Sequence, residues 1–274
     1  MSTKENNPAS TLEPAEPTDT YSACVITGGS SGIGRAIALH AALSGFTDIL
    51  IHYRRNHQGA AETVAALEQT GATAQSIAID LAEPDAHQRL ADAAWKFSPT
   101  ISAWFHNAGV DVLTGDAKKE PFETKLQRLW QVDVHATILL AREVADRMLA
   151  QPKTPVIPSM LFTGWDQATA GMEGDAGQMF GPTKAAIMAF SRSLAQTLAP
   201  EIRVNCVAPG WIQTAWGDNA DSGWQRRAQQ QSLMHRWGTP EDVAAMAVHL
   251  CSANSGFITG QIVEVNGGWN RKPS

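Results

Sequence analysis

Eight consecutive residues, Thr27-Gly28-Gly29-Ser30-Ser31-Gly32-Ile33-Gly34, combine glycines with small hydroxyl side chains. Such a stretch can cradle a phosphate. An apolar run (Ala23, Cys24, Val25, Ile26) precedes it, and an apolar-periodic stretch (Ile33, Ile37, Ala38, Ala41) follows. The pattern predicts a strand, a tight turn and a helix. Glycine meets backbone angles that a Cβ forbids and lets the chain approach a ligand closely. The helix N-terminus then offers free N–H groups and a positive dipole end to an anion. In that setting the octet reads as a dinucleotide pyrophosphate site, with Gly28, Ser30, Ser31, Gly32, Ile33 and Gly34 as cofactor-binding residues.

The residue that meets the adenosine ribose lies about 20 positions further on, at the end of the second strand. An acid there suits NAD. This chain has His52-Tyr53-Arg54-Arg55-Asn56 instead, with no carboxylate. A guanidinium pairs with a 2′-phosphate through charge-assisted hydrogen bonds. The expected cofactor is NADP(H), with Arg54 as its first contact. The alternative for Arg54 is a solvated surface side chain.

The elements that must position these groups alternate along the chain. Strands are predicted over Ala23–Thr27, Asp48–Tyr53, Ala74–Ile79, Ile101–His106, Val156–Thr163, Arg203–Val207 and Gln261–Val265. Helices are predicted over Gly32–Ser44, Gln58–Thr70, Pro84–Phe97, Phe122–Ala150, Gln178–Leu198 and Pro240–Cys251. Strands alternating with helices imply an α/β fold, a parallel sheet covered on both faces. Trp211 to Gly238 interrupts the rhythm with Trp211, Trp216 and Trp224. It reads as a lid over the ligand crevice, or as a set of packing anchors.

Met1 to Thr20 has almost nothing apolar to bury and is expected to be a disordered tail ahead of one domain spanning 21–274. It lacks the features of a secretory or transit signal, and no stretch is apolar enough for a membrane span. The formal net charge is −6 without a basic block, which argues against nucleic acid as a partner. Cys24, Cys206 and Cys251 are far apart in apolar runs and read as buried thiols in a reducing, cytoplasmic setting. No Cys/His spacing suggests a metal.

Taken together, these segments resemble the short-chain dehydrogenase/reductase family over about Tyr21 to Asn270. Thr27-Gly28 with Gly32 and Gly34 is similar to its cofactor loop. Asp80-Leu81 resembles the pair beside the adenine, and His106-Asn107-Ala108-Gly109 its Asn-Asn-Ala-Gly segment. Asn205 and Pro209-Gly210-Trp211-Ile212-Gln213-Thr214 resemble the segment that holds the nicotinamide carboxamide. Thr259-Gly260-Gln261 and Asn266-Gly267-Gly268-Trp269 resemble the closing strand. The look is that of the acyl-carrier-protein ketoreductase branch. The resemblance implies a Rossmann-type doubly wound sheet of about seven strands, a homodimer or homotetramer, and a small-molecule substrate. By the same resemblance, cofactor contacts extend to Asp80, Leu81, Asn107, Ala108, Gly109, Lys184, Pro209, Gly210, Ile212 and Thr214.

The resemblance implies chemistry resting on Asn, Ser, Tyr and Lys, with the Tyr four residues before the Lys. Lys184 is present, but Phe180 stands in the tyrosine position. The only two tyrosines, Tyr21 and Tyr53, fall elsewhere in the pattern. The serine position aligns with Gln167 by spacing, or with Thr163, Gly164 or Trp165 by the strand. The relay asparagine aligns with Asp133. A replacement acid is sought among Asp166, Glu173 and Asp175, with Asp166 first because it directly follows the fifth strand. Buried against Trp165 and Phe180, or held near Asp133, its pKa would rise toward neutrality. Asp166 could instead cap a turn. Two functional readings follow: an NADPH-dependent reductase with an altered acid, or an NADP(H)-binding sensor or silent subunit that does not turn over.

Overall fold

The computed structural model describes residues 21–214, 217 and 222–269. The expected tail, Met1 to Thr20, lies outside the described residues, as does part of the expected lid. Seven strands form one parallel sheet: β1 (Tyr21–Thr27), β2 (Phe46–Tyr53), β3 (Thr73–Ala78), β4 (Ile101–His106), β5 (Ser159–Thr163), β6 (Arg203–Pro209) and β7 (Ile262–Val265). Their order is β3-β2-β1-β4-β5-β6-β7. The order reverses at β1, which pairs with β2 on one side and β4 on the other. Such a reversal opens a crevice beyond the carboxyl ends of the strands, where ligands bind. This is the doubly wound Rossmann arrangement.

Alternation along β4 shows how the two layers form. Trp104 and Phe105 are both fully buried, yet they enter opposite cores because successive strand side chains point to opposite faces. Trp104 belongs to the core that also holds Leu90 of α3 (Ala86–Phe97), Leu140 of α5 (Thr137–Ala150) and Leu194 of α7 (Gly174–Leu198). Phe105 belongs to the core that also holds Ile37 of α1 (Gly32–Leu43) and Val243 of α9 (Pro240–Cys251). α2 (His57–Gln69) completes the second layer, its Asn56 accepting from the Gly59 N–H as the N-cap. Burying one such large side chain stabilises by about 1.5–3 kcal/mol. All three cysteines are buried in these cores.

The structure moves several expected boundaries. The third helix starts at Ala86 instead of Pro84 because Asp85 has φ +57° and breaks helical geometry. β5 begins at Ser159, since Pro158 has no N–H for the ladder. The seventh helix starts at Gly174, a turn earlier than Gln178. The long helix expected over Phe122–Ala150 divides into α4 (Phe122–Leu129), a π-helical segment over Trp130–Ala136, and α5. Asp133 sits in that π segment, and such segments are frequent at functional sites.

Candidate active site

The β1–α1 turn combines local glycine geometry with braces from residues distant in the chain. Gly28 has φ +71° and Gly32 φ +52°, the left-handed region that favours glycine. Ser31 precedes α1 without a side-chain hydrogen bond, so the first amides of the helix are not capped by it. The loop is braced by β2. The Gly28 N–H donates to His52 Nδ1 at 3.4 Å, and His52 Nε2 donates to the Ile79 carbonyl at 2.8 Å. Acceptance at Nδ1 requires the neutral ring, and burial lowers the His52 pKa to about 4. Asn56 Nδ2 donates to the Ser30 carbonyl at 3.3 Å. On the other side, Thr27 Oγ1 accepts from the N–H groups of Asn107 and Ala108 at 2.9 and 3.0 Å. His52 and Asn56 are functional supports that the sequence reading passed over. Their signal was only position, His52 near the end of the second strand and Asn56 just past it, where an acid suits the ribose.

Around this turn, the expected cofactor contacts fall along the carboxyl ends of the strands. Arg54 is exposed just past β2 and makes no ion pair among the described residues. Asp80 Oδ1 accepts from the Ala82 N–H at 3.1 Å, and Leu81 is buried. His106, the last residue of β4, is buried. It stacks on Phe162 with ring centroids 4.6 Å apart, and burial lowers its pKa to about 3.

Beside the α1 N-terminus opens a cavity of about 920 Å³, reached by Ile33, Thr163, Phe180, Lys184, Gly210 and Thr214 among others. Phe180 and Lys184 are four residues apart on α7 and so share one helix face. Lys184 Nζ lies 3.0 Å from Asp133 Oδ2. Asp133 is only 3% exposed, and its Oδ1 accepts from the Val110 N–H at 2.9 Å. Gly109 permits this approach, because a Cβ there would stand 2.9 Å from Asp133 Oδ2. The position expected to hold a relay residue thus holds a buried carboxylate paired with the lysine.

No tyrosine reaches the cavity. Tyr21 opens β1 and its Oη accepts from the Ala253 N–H at 2.8 Å, while the Tyr53 hydroxyl bonds His57 Nδ1 at 3.0 Å. Phe180 lines the wall, with Trp165 edge-on at 6.4 Å. Of the candidates for the serine position, Thr163, Gly164 and Trp165 line the cavity, whereas Gln167 is buried in the short helix α6 (Gln167–Ala170).

Asp166, the expected proton donor, does not line the cavity. Its N–H donates to the Pro209 carbonyl at 3.2 Å, and its Oδ2 accepts from Asn266 Nδ2 at 3.2 Å. The carboxyl group therefore lies beneath Gly210, whose added Cβ would stand 3.1 Å from Oδ2. It is neither paired with Asp133 nor packed between Trp165 and Phe180. The pKa is raised to about 6, chiefly by burial. The cause is enclosure by the β6 and β7 ends, so the raised value does not mark an acid facing substrate.

A stability prediction follows. The folded state holds this proton more tightly than the unfolded chain does. Stability is highest below the ordinary carboxyl pKa and falls as pH rises toward 6. Asp166→Asn is expected to raise stability by about 3 kcal/mol at pH 8 and by nothing near pH 3, read by urea unfolding. A stabilisation that does not change with pH would remove the ionisation argument.

The described part of the expected lid forms the outer wall. Trp211 and Trp224 line the cavity with ring centroids 5.5 Å apart. Arg227, on α8 (Ser222–Gln231), stacks over both rings and forks onto Glu173 at 2.5 and 3.0 Å. That pair ties α8 to the segment leading into α7. Glu173, weighed above as an acid, is thereby committed to Arg227, which holds its carboxyl below the usual range. Among the described residues no group of three or more His, Cys, Asp or Glu could hold a metal ion. None of the described helices is long and apolar enough to cross a membrane.

Comparison with known proteins places this geometry among dinucleotide-dependent enzymes. A family model described as Enoyl-(Acyl carrier protein) reductase matches residues 28–270. Tropinone reductase-like 3 of Erythroxylum coca is 30% identical over 246 residues, covering 89% of this chain and 91% of that protein. The 3-oxoacyl-[acyl-carrier-protein] reductase FabG of Aquifex aeolicus is 29% identical, covering 89% and 95%. A short chain dehydrogenase from Burkholderia cenocepacia, solved in complex with NADP, superposes with a TM-score of 0.78 at 26% identity, covering 89% and 96%.

Proposed function

The chain belongs to the short-chain dehydrogenase/reductase family, and from that premise we propose that it is an NADP(H)-dependent oxidoreductase reducing a carbonyl or similar group of a small molecule, with no tyrosine as proton donor. One observation carries this reading. The uncapped N-terminus of α1 and Lys184, held from behind by the buried Asp133, face the same cavity. The residues present suit a dinucleotide: the left-handed glycines, the uncapped amides, and the space between Gly32 and Thr214, where a Cβ at 32 would meet only a methyl at 3.7 Å. The NADP held by the Burkholderia cenocepacia relative adds support.

In this reading the α1 amides would hold the pyrophosphate, Arg54 the 2′-phosphate, and Asn107 to Gly109 with Pro209 to Thr214 the nicotinamide end. The dinucleotide supplies a hydride when bound. Asp133 fixes Lys184 Nζ at the cavity wall, where its ammonium donates hydrogen bonds to an atom gaining negative charge. A preorganised donor of this kind acts strongly where water is excluded. Phe180, Trp165 and Trp211 give that wall an apolar surface.

Arg54→Ala tests the cofactor choice. NADPH binding, followed by fluorescence titration, should weaken about 10- to 100-fold, the range of a hydrogen bond to a charged group. NADH binding should hardly change. Equal losses would sink the 2′-phosphate assignment. The non-catalytic reading rests on Phe180, which has no proton to give. It predicts that NADPH binds and that only a Phe180→Tyr variant turns over.

A further inference from the structure

The segment that follows β4 is dense in charge, and nearly all of that charge is committed. Asp111 Oδ1 accepts from the N–H groups of Leu113 and Thr114 at 2.9 and 3.0 Å. Lys119 Nζ lies 3.1 Å from Asp116 Oδ1, and Arg128 Nη1 lies 2.6 Å from Glu120 Oε2. Lys125 Nζ donates to the Lys118 carbonyl at 2.7 Å, which pins the 3₁₀ turn over Gly115–Lys119. Lys118 is the exception. Its Nζ has neither an ion-pair nor a hydrogen-bond partner among the described residues. Of these charged side chains, Lys118 is also the one whose residue lines the cavity. It is exposed, so it stands at the mouth. Packing fixes the loop there. Val110 and Val112 share a small core with Leu129 and Met179, and Leu113 and Phe180 pack against it.

The two lysines of the lining therefore differ. Asp133 meets the charge of Lys184 at 3.0 Å, whereas nothing described meets that of Lys118. An ammonium on a flexible stem is a point charge that takes an oxyanion through strong charge-assisted hydrogen bonds. The whole chain carries a formal −6, so its overall field repels an acid and a local cation must supply the attraction. We propose that Lys118 is a specificity-determining residue that holds an anionic group of the substrate, a carboxylate or a phosphoryl group. The apolar body of that substrate lies along Leu113, Met172 and Phe180, and its reducible group meets the more enclosed Lys184. The proposal rests on the reading of the chain as an NADP(H)-dependent reductase acting at Lys184. Holding both ends of the molecule fixes which face of the reducible group is offered to the hydride.

The test uses benzoylbutyric acid, its methyl ester and its phosphonate analogue. Each is titrated by calorimetry into protein saturated with NADP⁺, which fills the α1 site and cannot reduce a ketone. Wild type should bind the acid or the phosphonate at least about tenfold more tightly than the ester, the lower end for a hydrogen bond to a charged group. Whichever anion binds more tightly identifies the group held. Lys118→Met should abolish that preference and leave ester binding unchanged, and Lys118→Glu should invert it. Lys118 is exposed and unpaired, so both variants should melt with wild type. Equal binding of all three compounds by wild type, or binding of none, would overturn the proposal. So would a preference that survives in Lys118→Met, or a loss of NADP⁺ affinity there, which would make Lys118 a cofactor contact. Failure of wild type to bind NADP⁺ is a separate result. It would remove the cofactor reading, while a preference for anion over ester in the free protein, lost in Lys118→Met, would still uphold the anion site.

Discussion

Lys184→Met is expected to lower turnover at least about 100-fold, the usual loss for removing one preorganised donor at a reacting atom. It should also destabilise the fold. Asp133 is 3% exposed and would be left as a buried carboxylate whose remaining partner is the Val110 N–H. Breaking a buried pair from one side costs about 3–5 kcal/mol. The two losses separate in the double variant. Lys184→Met with Asp133→Asn removes the uncompensated charge, keeps an oxygen for Val110, and should recover most of the stability in urea unfolding. Turnover should stay low, because the donor is still missing. Recovery of both together would mean that the lysine serves only to neutralise Asp133. Full turnover in the single variant would remove Lys184 from the chemistry altogether.

The difference between what was legible in the sequence and what was not follows contact distance along the chain. The turn at Gly28 to Gly34 and the face shared by Phe180 and Lys184 are local geometry, and local spacing specifies them. The alternation that sends Trp104 and Phe105 into opposite cores is local in the same sense. Asp166 is different. Its place in the chain, just past β5, was readable, but the side on which its carboxyl falls depends on Pro209 and Asn266. The brace of the glycine loop by His52 needs the β1–β2 register, which pairs Thr27 with His52. The π segment that brings Asp133 to Lys184 leaves no mark in the hydrophobic pattern. Glycine 109 was named for its motif, whereas its physical role here is to admit the Asp133 oxygen.

Gly34→Ala is expected to abolish dinucleotide binding, with at least about 100-fold weaker NADPH affinity and a stability loss above the ~1–3 kcal/mol typical of overpacking. A Cβ at this position would stand 2.1 Å from the Gly28 carbonyl oxygen and 2.7 Å from Asn107 Nδ2. Neither obstacle is a flexible side-chain tip. Gly28 is backbone in the left-handed region, and Asn107 Nδ2 already donates to the Thr27 carbonyl at 3.2 Å. Relief must come from moving the loop off the start of α1, which takes the amides out of line with the Thr214 side. Gly71→Ala is the matched control. Gly71 has φ +90°, but a Cβ there meets nothing within 4 Å. It should cost about 1–2 kcal/mol of backbone strain and leave NADPH binding unchanged. If Gly34→Ala bound NADPH within a few-fold of wild type while losing stability, the octet would be a packing turn only. The pyrophosphate would then have to sit elsewhere along the crevice, and Arg54 could no longer be placed against a 2′-phosphate.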